Sequence, residues 1–141
     1  MRALVRADLI REEGFRASAY TDSEGYWTIG IGKLIDARLG GGITEIEAAG
    51  LLNNDLDRID AELDKALPWW RTQPDNVQRA LSQMCYQLGL TRLLGFKKML
   101  EALEIGDYEL AKIEGLDSQW AKQTPDRAKR VTALFTNRSL T

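Results

Sequence analysis

An apolar stripe between Thr44 and Pro68 constrains this chain more than any other feature. Ile46, Ala49, Leu52, Leu56, Ile59 and Leu63 recur at steps of three and four, the spacing of one face of an α-helix. Thr44, with Glu47 three residues on, forms a capping box that starts the helix. Pro68 ends it. About 20 residues at 1.5 Å each make a rod of roughly 30 Å, long enough to join two lobes. The chain beyond Pro68 reads as shorter helices, at about 75–88, 96–104, 107–114 and 125–135. Thr124 supplies an N-cap for the last of these and Pro125 its first turn.

Before the rod the pattern changes. A first amphipathic helix should end near Glu13, because Gly14 suits the position just past a helix C-terminus. Thr21–Gly25 is then a five-residue run of turn formers between Phe15–Tyr20 and Tyr26–Ile31, two aromatic and β-branched runs. That arrangement predicts a β-hairpin. In its second strand Trp27, Ile29 and Ile31 would face one way, and Tyr26, Thr28, Gly30 and Gly32 the other. The two glycines would leave a floor that a bulky ligand can approach closely. Leu39-Gly-Gly-Gly-Ile43 is a flexible connector to the rod. The expected class is therefore α+β: a small lobe with a hairpin, a long connecting helix and a helical large lobe.

Composition narrows the chemistry by exclusion. The chain has no histidine, which removes Ser-His-Asp and Cys-His nucleophile systems, His-ligated zinc and a His general base. Carboxylate chemistry remains, with Glu13 ahead of the predicted hairpin, Asp22 in its turn and Thr28 on its floor. A pair of carboxyl groups serves as acid and as base or nucleophile in cutting glycosidic bonds. Cys85 is the single cysteine and stands among Ala80, Leu81, Met84 and Leu88 at helical spacing, so it is expected in the core. Trp69, Trp70 and Trp120 are expected to pack in or near the core rather than stack on sugars.

The run from Glu13 to Leu34 carries Glu, eight residues, Asp, five residues, Thr, framed by aromatic and glycine residues. It resembles the catalytic region of the phage-type lysozymes (endolysins). Asn76–Gly89, Gly95-Phe96 and Trp120–Val131 resemble large-lobe segments of the same family in the same order, so the likeness covers most of the chain. It implies a lysozyme-like fold in one domain: a small lobe of about 14–45, a connecting helix of about 44–66, and a large lobe of about 67–141 that includes helix 1–13. It implies hydrolysis of the β-1,4 bond between N-acetylmuramic acid and N-acetylglucosamine in peptidoglycan, releasing phage progeny by host lysis. Glu13 would be the general acid, and Asp22 and Thr28 would position water, with inversion at the anomeric carbon by family analogy. Leu34, Tyr86, Gln87, Gly30 and Gly32 would line the sugar cleft, and Arg127 would stand near the catalytic Glu. Lys33 and Asp55 occupy positions that pair in the family, and an ion pair is expected. The segment between Leu34 and Thr44 is shorter than in longer relatives, so the small lobe should be trimmed.

Taken singly, these residues have plainer readings: Glu13 a solvated helix-end charge, Asp22 a turn former, Thr28 a strand residue, and Arg127, Lys129 and Arg130 a solvated basic face. Two other activities stay open, a lytic transglycosylase and an inactive peptidoglycan-binding module. A nucleic-acid binder is disfavoured by a net charge of −2. No cofactor or metal is expected, and a monomer is the default. No uncharged apolar run approaches the ~18 residues of a membrane span, and no leader is evident. The resemblance thus implies a protein held in the host cytoplasm until a holin opens the way to the periplasmic wall.

Overall fold

The computed structural model describes residues 1–12, 27–29, 33–36 and 45–137. Helix α1 covers residues 2–12. Strand β1 is Trp27–Ile29 and β2 is Lys33–Asp36. Seven more α-helices come after them: α2 Glu45–Ala66, α3 Asp75–Leu88, α4 Leu90–Leu94, α5 Lys97–Glu104, α6 Tyr108–Leu116, α7 Gln119–Gln123 and α8 Pro125–Thr136, with a 3-10 turn at Trp70–Thr72. Two compact units divide the chain inside α2, residues 2–57 in one and residues from Arg58 onward, with Met1, in the other.

In the first unit, α1 buries one stripe, Val5, Asp8, Leu9 and Glu12, which is the i, i+3, i+4, i+7 set of a helix face. Arginines on its flank tie it to α2. Arg2 Nη1 donates to Asp57 Oδ1 and Arg6 Nη1 to Asn53 Oδ1, both at 3.0 Å. Strands β1 and β2 pair antiparallel, Trp27 with Asp36, Thr28 with Leu34 and Ile29 with Lys33. The register shifts between Trp27 and Thr28, so Ile35 is the extra residue of a β-bulge.

In the second unit, α3 buries Val77, Ala80, Leu81, Met84 and Cys85 along one side, and α8 buries Ala128, Val131 and Phe135. Helices α3, α6 and α7 all pack on α8, and α6 also packs on α5. Each large apolar side chain fully removed from water contributes about 1.5–3 kcal/mol. At the α6–α8 crossing a Cβ on Gly115 would lie 3.0 Å from Thr132 Cγ2, so the helices approach as closely as a missing side chain allows. Gly89 and Gly106 hold φ of +83° and +82°, and they end α3 and precede α6 where other residues would be strained.

The segment after α2 is held by polar contacts. Trp70, fully buried, donates its indole N–H to Asp64 Oδ1 at 2.7 Å, and Arg71 Nε donates to the same oxygen at 2.7 Å. Gln78 Nε2 donates to the carbonyls of Arg71 and Gln73 at 3.1 and 2.8 Å. Tyr108 Oη donates to Gln73 Oε1 at 2.9 Å, bringing the start of α6 to this turn.

The expected α+β class needs correction. Among the described residues eight helices build the structure, and β-structure is two strands of three and four residues. A ribbon that short cannot bury a face of its own, so the architecture is predominantly helical, and a small lobe built on a hairpin of residues 15–31 is not what the described residues form. Trp27–Ile29 pairs forward, with Lys33–Asp36, and only Gly30-Ile31-Gly32 stands between the two strands in sequence. That spacing is a three-residue hairpin connection. The glycines expected as a ligand floor lie outside the described residues, as do Phe15–Tyr20 and Thr21–Gly25.

Candidate functional site

In the ribbon, Thr28 and Leu34 are direct register partners. Two residues expected at the site, one catalytic and one sugar-binding, thus stand opposite each other on neighbouring strands. Glu13, Asp22, Gly30 and Gly32 lie outside the described residues, as does the side chain of Lys33 and hence its expected pairing with Asp55. Glu13 follows directly on the described end of α1.

In the second unit, Tyr86 and Gln87 stand half-buried near the C-terminal end of α3. Gln87 Oε1 accepts the indole N–H of Trp120 at 2.8 Å. Trp120 is 1 % exposed and meets Phe96 edge to face, with ring centroids 5.9 Å apart and planes at 79°. Edge-to-face pairing sets the positive rim of one ring on the negative face of the other, which fixes the indole beyond what burial does. The backbone holds Trp120 as well. Ser118 Oγ accepts the Ala121 N–H at 3.2 Å as N-cap of α7, and the Trp120 carbonyl accepts Thr124 N–H at 2.8 Å.

Arg127 separates from its neighbours on α8. It is 6 % exposed, packed beside Ala128 and Val131, whereas Lys129 and Arg130 face solvent. The plain reading of all three as one solvated basic face therefore holds for two of them. A guanidinium is buried only where polar or charged groups compensate its desolvation.

A groove with no counterpart in the sequence reading, of about 490 Å³, is lined by Phe96, Trp120, Arg92, Lys97, Lys98, Glu114, Asp117, Ser118 and Gln119. Its aromatic floor and its mixed charges come from α4, α5, the end of α6 and α7, of which α4 and α7 are too short for periodicity to place. The tryptophans were expected in or near the core; Trp70 and Trp120 are buried there, and Trp69 is half-buried. Cys85 is 2 % exposed, and burial, followed by the charge of Glu62, pushes its thiol up to about 11. It is a core residue and not a nucleophile at neutral pH. Among the described residues no three His, Cys, Asp or Glu side chains form a metal-binding group, and no helix is long and apolar enough to cross a membrane.

Comparison with known proteins agrees with the resemblance. The chain is 35 % identical over 152 residues to the pre-baseplate central spike protein Gp5 of Enterobacteria phage T4, spanning 90 % of this chain and 26 % of that protein. It is 29 % identical to the probable T4-type lysozyme 1 of Dictyostelium discoideum over 88 % of both chains. An endolysin of Acyrthosiphon pisum secondary endosymbiont phage 1 is 30 % identical over 79 % of this chain and 73 % of its own length. The family model described as phage lysozyme matches residues 10–140, a stretch that includes every residue expected at the site. The chain belongs to the phage lysozyme family.

Proposed function

We propose that this lysozyme hydrolyses the β-1,4 bond between N-acetylmuramic acid and N-acetylglucosamine in peptidoglycan, with Glu13 as general acid and Asp22 and Thr28 positioning water. The observation that carries the reading is the family match over residues 10–140, in a chain whose Glu13, Asp22 and Thr28 keep the family's spacing. Glu13 protonates the leaving oxygen, which requires a carboxyl pKa raised by apolar surroundings. Asp22 stays ionised, stabilises positive charge at the anomeric carbon and helps orient the water held by Thr28. Attack from the opposite face inverts the sugar, as expected where the carboxyl groups stand about 6.5–9.5 Å apart. Leu34, Tyr86, Gln87, Gly30 and Gly32 contact the sugars. The enzyme acts as a monomer, held in the host cytoplasm until a holin releases it to the wall.

Mass spectrometry of products from purified peptidoglycan tests this, comparing the natural chain with Glu13→Gln. Ordinary reducing N-acetylmuramic ends, lost in the variant, are expected. Anhydro ends would assign a lytic transglycosylase, and no products from folded protein would leave a peptidoglycan-binding module.

The match to 26 % of a central spike protein favours a second setting for the same chemistry, wall-cutting from within the virion. Immunoblotting purified virions separates the two: lysozyme retained in the particle supports entry, and lysozyme found only in the lysate supports release.

A further inference from the structure

We infer that Trp120 is a positioning residue for substrate binding and acts through Gln87; the inference rests on the proposal that Gln87 contacts the substrate. A glutamine amide has an acceptor end and a donor end, and nothing in its shape decides which faces a ligand. Trp120 decides it. An indole N–H can only donate, so the 2.8 Å bond to Gln87 requires the carbonyl oxygen at that end. Among the described residues Gln87 makes no second side-chain hydrogen bond, and its NH2 group is the end left to act on a ligand. The orienting indole is itself immobile: 1 % exposed, edge-on against Phe96, and carried on a helix capped by Ser118.

The ligand group follows from the chemistry. A fixed amide NH2 takes an acceptor, and the acceptor of matching strength in peptidoglycan is an amide carbonyl, found on its N-acetyl sugars and in its peptides. Without the indole the amide can turn, presenting its carbonyl to the ligand's carbonyl for part of the time. The loss is then in substrate affinity and not in the chemical step.

Steady-state kinetics on peptidoglycan tests this with Trp120→Phe, Gln87→Leu, the double variant and Gln87→Glu, at a temperature where melting curves show each one folded. Trp120→Phe keeps a ring and deletes the donor. Gln87→Glu keeps an acceptor for the indole and deletes the NH2. Each single variant is expected to raise KM roughly 2- to 10-fold, the size of one neutral hydrogen bond, with a smaller change in kcat. The double variant should be no worse than Gln87→Leu, because both changes cut one chain of contacts. A KM raised by Gln87→Leu and Gln87→Glu but untouched by Trp120→Phe overturns the positioning role. A KM untouched by either Gln87 variant overturns the substrate contact, and the inference with it. Repeating the assays on glycan strands stripped of peptide identifies the acceptor: a penalty that persists assigns an N-acetyl carbonyl, and one that vanishes assigns a peptide carbonyl.

Discussion

Asp64 shows how much structure one exposed carboxylate can organise. It accepts the indole N–H of Trp70 and two N–H groups of Arg71, at 2.7, 2.7 and 3.2 Å, where α2 ends and the chain turns toward α3. The hydrogen bond from Arg71, then that from Trp70, holds its carboxyl below the ordinary value of 3.8. A lowered folded-state pKa adds stability that is complete above 3.8 and fades as pH falls through the folded value. Asp64→Asn should therefore lower the Tm near neutral pH, and the gap to the natural chain should close in acid. Melts between about pH 2 and pH 7 check this, and a gap constant across the range would overturn it. The neighbouring Trp70-Arg71 pair, with the guanidinium 4.7 Å from the ring centroid, does not titrate there and leaves the slope to the carboxylate.

At the level of elements, the α6–α8 crossing at Gly115 is a close approach open to direct test. A Cβ added at Gly115 would meet Thr132 Cγ2 at 3.0 Å and Met99 Sδ at 3.2 Å. Alanine gains at most about 1 kcal/mol of helix propensity over glycine at this penultimate position of α6, while overpacking costs about 1–3 kcal/mol. Gly115→Ala should thus destabilise by about 1 kcal/mol net, read by denaturant unfolding. Adding Thr132→Ser removes Cγ2 and leaves only the pliable thioether in the way, so the double variant should recover most of the loss. The single substitution stabilising the protein would show that α6 and α8 can separate at no cost. The helices meeting here were legible in the sequence because each carries a repeating stripe and a clear stop. Asp75–Leu88, Lys97–Glu104, Tyr108–Leu116 and Pro125–Thr136 differ by at most two residues from the expected ranges. Helices α4 and α7, of five residues each, are too short to show a period. The pairing of Trp27–Ile29 with Lys33–Asp36 was not legible because Gly30 and Gly32 read as part of a strand floor, and local signals alone do not separate a strand glycine from a turn glycine. The Gln87–Trp120 bond was invisible for a related reason: its partners stand 33 residues apart, and only packing brings them together.

For the whole molecule, charge distribution is the property that bears on a polymeric, anionic substrate. The net charge of −2 and pI near 5.3 argue against general attraction to a cell wall, yet the charges are segregated in sequence. Glu45 to Asp64 on α2 is strongly acidic, whereas Lys122, Lys129 and Arg130 stand exposed on α7 and α8. Burial of Arg127 removes one cation from that basic set and leaves it three strong among the described residues from Gln119 onward. Local fields, not the net charge, steer a ligand when the Debye length is comparable to the size of the patch. Raising ionic strength from about 0.02 to about 0.3 M shortens that length from roughly 20 to roughly 6 Å. If the α7–α8 cations guide the encounter, kcat/KM on peptidoglycan should fall several-fold over this range, and Lys122→Gln with Lys129→Gln should flatten the dependence while leaving Tm nearly unchanged. A rate indifferent to salt would mean that the substrate is captured by short-range contacts such as the oriented Gln87 amide. A rate that rises with salt would mean that the acidic charge of α2 dominates and repels the wall. The slope, measured on the natural chain and on the double variant, decides among the three.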